Sequence, residues 1–208
     1  MSAEAPPTPA AVRRRTQIVH ATINVIAELG YQRCSFAEIA AHGGLSSTRL
    51  ISYHFADRAA LMREVATRIV ADMAASVTEA MQRTTSPRDA VHAYIRANVA
   101  FADQHRAEAV TLVALLFAGA LPTDERGVDA TQMTIADLIR AGVGAGEFSG
   151  VDPVIAADVL QRTAEGVLLR LYRTPGMDLT TLGDDLVAFL DSGLGTAHPG
   201  TSDPGSPS

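Results

Sequence analysis

Residues 35–55 read SFAEIAAHGGLSSTRLISYHF, and this stretch decides the fold class. Ser35 and Glu38 stand at the S-x-x-E spacing of a capping box. In such a box the hydroxyl takes the N–H of the third residue on, and the carboxylate reaches back to the N–H of the cap. Phe36, Ile39 and Ala40 follow at i, i+3 and i+4, one apolar face of a helix. Gly43-Gly44 stops that helix, because glycine tolerates the left-handed backbone a helix C-terminus needs. Ser46 is placed to cap a second helix over 47–54. Two helices joined by a glycine turn form the unit that lays its second helix in the DNA major groove.

The second helix carries matching chemistry. Ser47, Thr48 and Arg49 fill its first turn, and all three can hydrogen-bond base edges or phosphates. Arginine suits the O6/N7 edge of guanine best. Ser52, Tyr53 and His54 add polar tips, while Leu50 or Ile51 must face inward. An ordinary surface helix of an all-α protein has the same spacing, so the pattern alone does not decide for DNA.

Residues 13–65 also resemble the N-terminal DNA-binding domain of the TetR family of transcriptional regulators. The likeness is carried, in order, by Ile18 and Ala21, Gly30-Tyr31, Ile39-Ala40, Gly44-Leu45-Ser46, Tyr53-His54-Phe55 and Leu61. Two departures stand out. The stretch from Gly44 to Phe55 is one residue longer than the commonest form of the motif, which blurs which of Ser47, Thr48 and Arg49 takes each base-reading position. Arg58 replaces a frequent lysine, keeping the charge but offering a planar fork. The resemblance implies an operator-binding homodimer whose body senses a small molecule. It also implies that the helix after Phe55 links head to body, and that the last two long helices pair with their symmetry mates.

Charge is distributed to match. The chain has 208 residues and a net charge of -6, yet residues 1–68 hold eight Arg against five acidic residues. A basic head on an acidic body suits DNA binding through one end. Arg13-Arg14-Arg15, at the expected start of the first helix, reads as a phosphate-contacting cluster, because phosphate contacts position such domains. Tyr53, His54 and Arg58 are further phosphate candidates, the last at a helix N-terminus. Ser35, at the head of the paired helices, is counted with the DNA-facing groups. Cys34, the single cysteine, excludes an internal disulfide and reads as a small buried hydrophobe rather than a redox sensor.

The remaining chain is punctuated helix. Asp57 caps a long helix to about Met81, with Leu61, Val65, Ile69 and Met73 spaced by four. Ser86-Pro87 opens a helix to about His105. Residues 107–120 are apolar nearly all round and predict burial. Leu121-Pro122-Thr123 breaks them, and a helix follows to about Val143. Gly142, Gly144 and Gly146 read as a loop, since the string lacks the strand and spacing of a nucleotide fingerprint. Helices over about 153–172 and 179–194 complete the chain. Val159, Val167, Leu171, Leu186, Phe189 and Leu190 are the dimer-interface candidates. Tyr94, Asn98, Phe101, Thr111, Phe117, Gln132 and Met133 are the ligand-lining candidates, although Met and Phe at helical spacing more often form plain core.

The expectation is therefore an all-α protein: a three-helix helix-turn-helix head over 12–57, and a larger helical body for ligand binding and dimerisation over 58–194. Disordered tails are expected over 1–11 and 195–208. The N-terminus lacks a signal-peptide pattern and no apolar run approaches ~20 residues, so the expected setting is the cytoplasm, away from membrane. No HExxH, GxSxG or Walker loop occurs, and the six histidines do not cluster at metal spacing, so neither catalysis, metal nor cofactor is expected. A dimeric adaptor whose head grips protein instead of DNA remains the rival reading.

Overall fold

Thr8 accepts the N–H of Ala11 at 3.3 Å, and Pro9 fills the first helical position, where its missing N–H costs nothing. Helix α1 (Pro9–Leu29) therefore starts earlier than Arg13, and residues 9–11 are helical where a tail was expected. The computed structural model describes residues 8–121 and 125–194, so the tail expectations for 1–7 and 195–208 and the break at Pro122-Thr123 lie outside the described residues.

Gly30, at φ 82°, ends α1 and turns the chain into a single 3-10 turn, Tyr31–Arg33. Helix α2 (Phe36–His42) follows, with Ser35 Oγ accepting the Glu38 N–H at 3.2 Å as the capping box requires. Gly44, at φ 59°, makes the turn into α3 (Thr48–His54). The cap of α3 is Ser47 and not Ser46, and no side-chain bond closes it. Asp57 Oδ1 then accepts the Ala60 N–H at 2.6 Å and starts α4 (Arg58–Gln82).

The remaining helices are α5 (Pro87–Gln104), α6 (Arg106–Phe117), α7 (Glu125–Gly144), α8 (Pro153–Arg173) and α9 (Leu182–Leu194). Helix α7 runs on through Gly142 and Gly144, which were expected in a loop, and the turn comes at Gly146. Helix α9 begins at Leu182 rather than Leu179, whose side chain is buried in the preceding turn. All regular elements among the described residues are helical, and none is long and apolar enough to cross a membrane.

Packing divides the chain into two units. The first holds α1–α3, α4 to Ser76, residues 101–124 with α6, and residues 165–178. Ile18, Ala21 and Val25 of α1, Ile39 of α2, Ile51 of α3 and Leu61, Val65 and Ile69 of α4 form its core, joined by Phe101, Leu112 and Leu115. Thr111, fully buried on α6, donates to the Ile23 carbonyl of α1 at 3.1 Å. Buried polar groups are tolerated when so paired. The last turn of α6 departs from the expected burial: Leu116 and Phe117 are exposed, Phe117 leaning on the Tyr172 ring at 5.5 Å.

The second unit holds residues 77–100, 125–164 and 179 onward. Val91 and Ile95 of α5, Ile135 and Ile139 of α7, Ala157 and Leu160 of α8, Val187 and Leu190 of α9, and Phe148 make its core. Asp191 accepts from Arg88 at 3.0 Å and pairs with His92 Nε2 at 2.9 Å, fastening α5 to α9. Arg88 also donates its backbone N–H to Glu147 Oε2 at 2.7 Å.

Candidate nucleic-acid interface

Helix α3 is divided sharply by burial. Ile51 is fully buried and Phe55 nearly so, which fixes the inward face. Ser47, Thr48, Arg49, Ser52 and Tyr53 are exposed, Tyr53 at 82%. Leu50 is half-buried against the core. The first turn and the outer face thus present two small hydroxyl groups at its head, a guanidinium, a serine and a phenol to one side.

Around α3 the fold is held by polar ties between helices. Gln17 of α1 donates to the Gly43 carbonyl at 2.7 Å, and Glu28 of α1 pairs with His42 of α2 at 3.2 Å. Arg13 is exposed, and Arg14 donates to Gln17 at 2.7 Å.

Two arginines expected at phosphates each have two N–H donors engaged inside the protein. Arg15 donates to the His54 carbonyl at 2.7 Å and to Glu64 of α4 at 3.0 Å, with its guanidinium 4.4 Å from the centroid of the Phe55 ring. Arg58 donates to the Tyr31 carbonyl at 2.7 Å and to the Cys34 carbonyl at 3.3 Å. Nothing in local sequence showed these bonds, because the acceptors lie 24 to 49 residues away. Burial first, then the charges of Arg15 and Arg14, push the His54 imidazole below its ordinary value of 6.5, so its neutral form is favoured. Arg63, which the sequence reading passed over, lines with Arg15, His54 and Glu64 an open cleft of about 490 Å³ beside the end of α3.

The ligand-lining candidates fall in both units. Phe101 and Thr111 are buried in the core of the first unit, and Phe117 is exposed there. Tyr94 and Asn98 are buried in the second unit, Asn98 donating to the Tyr94 carbonyl at 2.8 Å, while Gln132 is half-buried and Met133 exposed. An open cleft of about 450 Å³ on the second unit, lined by Thr84, His92, Arg96 and several alanines, contains none of the seven.

The dimer candidates also separate. Val167, Leu171 and Leu190 are buried within the protomer and present no surface for a partner, because they already fill its own core. Leu186 is half-buried; Val159 and Phe189 are exposed. No group of three or more potential metal ligands occurs among the described residues.

No protein-family model and no curated protein matches the chain. Solved structures do. A TetR-like transcriptional regulator from Rhodococcus sp. RHA1 is similar with a TM-score of 0.72 at 20% identity, over 90% of this chain and 98% of that one. The fatty acid degradation regulator FadR from Bacillus halodurans is similar with a TM-score of 0.73 at 19% identity, over 91% and 97% of the two chains. This chain has the TetR-regulator fold. The same fold is seen in AibR, solved with isovaleryl coenzyme A and operator DNA, with a TM-score of 0.68 at 18% identity, over 85% of this chain and 97% of that one. In a TetR-type fold, α2 and α3 are the helix-turn-helix pair that the sequence of residues 35–55 predicts.

Proposed function

We propose that this chain is a DNA-binding transcriptional regulator, a homodimer that reads a pseudo-palindromic operator and releases it on binding a small molecule. The observation that carries the reading is the division of α3, with Ile51 buried and Ser47, Thr48, Arg49, Ser52 and Tyr53 exposed on a segment of net positive charge. A helix with an apolar face underneath and five hydrogen-bonding side chains outside suits a groove lined by base edges and phosphates. The fold shared with regulators, one of them solved on operator DNA, supports the same reading.

In this account residues 12–57 bind DNA and residues 58–194 bind the effector and the second protomer. Arg49 reads a base, with Thr48 and Ser47 beside it. Ser52, Tyr53 and His54 contact the backbone, with Arg13, Arg14 and Ser35 at the flanks. Val159 and Phe189 face the second protomer. The protein acts in the cytoplasm and carries out no catalysis. An effector that favours a body with wrongly spaced heads weakens DNA binding by its differential affinity, typically ~1–3 kcal/mol.

Selection from a random duplex library, followed by binding titrations of the recovered duplex at rising salt, tests this. An enriched inverted repeat is expected, with log K falling linearly against log salt as phosphates are neutralised. An adaptor that grips protein would enrich no sequence.

A further inference from the structure

Helix α3 has only seven residues and no side-chain cap at its start. Helices this short are not stable by themselves in water, and their last carbonyls lack intrahelical partners. Tertiary anchors must therefore hold α3. Ile51 is one, fully buried underneath. Another is at the C-terminal end, where Arg15 Nη1 donates to the carbonyl of His54, the last residue of α3, at 2.7 Å. A cation there also meets the negative end of the helix dipole.

The same guanidinium does two further things. Its Nη2 donates to Glu64 Oε2 on α4 at 3.0 Å, and its plane stands over the Phe55 ring at 4.4 Å. One side chain of α1 thus joins the end of α3 to α4, using two donors and one face. Two of its five N–H donors are spent this way, and turning the fork outward to a phosphate would break both bonds and the ring contact. Lysine could not replace it, since a point charge cannot span a carbonyl and a carboxylate while staying over a ring.

We propose that Arg15 is a positioning residue, which fixes the C-terminal end of α3 against α4 and does not contact DNA. The assignment deepens the DNA-binding reading and rests on it for its consequence, though the anchoring itself does not require DNA.

The test has two parts. Hydrogen exchange of the free protein, followed by mass spectrometry, is compared among wild type, Arg15→Gln, Arg15→Lys and Glu64→Gln. Faster exchange is expected over residues 48–55 in both Arg15 variants and, to a lesser degree, in Glu64→Gln, with the rest of each chain unchanged. The duplex selected by wild type is then titrated at several salt concentrations. Arg15→Gln should lose about tenfold or more in preference for that duplex over a scrambled one, the scale of one lost charged hydrogen bond. It should keep the wild-type salt slope, whereas Arg13→Ala should lower that slope by about 0.9, the signature of one lost phosphate contact. A lowered slope in Arg15→Gln, or unchanged exchange over 48–55, overturns the assignment. If wild type selects no duplex, the DNA-binding reading fails separately, and the exchange measurement alone decides whether Arg15 anchors α3. Glu64→Gln keeps the test decisive should an Arg15 variant fail to fold.

Discussion

The Arg58 guanidinium lies over the Tyr31 ring, 4.1 Å from its centroid, and donates to the carbonyl of that same residue at 2.7 Å. Its Nε reaches the Cys34 carbonyl at 3.3 Å. A side chain at the start of α4 thereby closes the link between α1 and α2, adding a second donor to the Tyr31 carbonyl that already takes the Cys34 N–H at 3.2 Å. Arg58 and Arg15 share one design, an arginine set over an aromatic ring and donating to at least one backbone carbonyl at a helix junction. Arginine is suited to it by its flat, weakly hydrated face and fixed fork.

Replacing Arg58 by Ala should destabilise the protein by about 1–3 kcal/mol, since charged hydrogen bonds and the ring contact are lost together. Arg58→Lys should recover only part of this, because one ammonium cannot reproduce the fork. Urea unfolding midpoints of the three proteins check the order wild type, Lys, Ala.

Cys34 is 2% exposed, and burial pushes its thiol from an ordinary 9.0 up to about 11, against the opposing pull of Arg58. The folded state therefore holds this proton more tightly than the unfolded state. Stability from this group is fully present below pH 9 and is lost as pH rises from 9 toward 11. Cys34→Ala should flatten that alkaline fall, at the cost of a small cavity. The native thiol should also resist an alkylating reagent at pH 8 until denaturant is added; rapid labelling of folded protein would contradict the burial.

Gly142 has no room for a side chain. A Cβ built there would stand 2.4 Å from Cδ2 of Phe148, which is buried. The carbonyl of Gly142 also accepts the Glu147 N–H at 2.8 Å, so the turn is pinned over this spot. Gly142→Ala should destabilise by about 1–3 kcal/mol through overpacking, despite alanine's better helix propensity. A thermal melt at or above wild type would show that Phe148 repacks freely.

Phe189 is 75% exposed and Val159 51% exposed, large apolar groups that the protomer leaves largely open to solvent. If they face a second copy, Phe189→Asp and Val159→Asp should each shift the protein toward monomer in sedimentation velocity. The protomer itself should change by under about 0.5 kcal/mol, as isolated surface substitutions do. Unaltered sedimentation in both variants would remove these residues from the interface.

What was legible in the sequence follows the range of the interaction. The Ser35 cap on the Glu38 N–H, the Gly44 turn and the Ser86 helix start are local, and each forms in the structure. The buried face of α4 was legible because Leu61, Val65 and Ile69 recur with the helical period. Thr8-Pro9 carried a readable start signal for α1 that the Ala/Pro-rich composition masked. The roles of Arg15 and Arg58 were not legible, since a local sequence cannot say whether a fork finds a phosphate or a distant carbonyl. Nor could periodicity separate Leu190, which the protomer buries, from Phe189, which it leaves exposed, because both lie on the wide apolar side of α9.

The central claim, that α3 reads DNA as one half of a two-fold pair, is tested most directly by footprinting wild-type protein on the selected duplex. The account predicts two protected half-sites related by inversion, their centres about 34–36 Å or a multiple apart along the helix. A single protected patch without an inverted partner, or no protection at a concentration that saturates the titration, would contradict it.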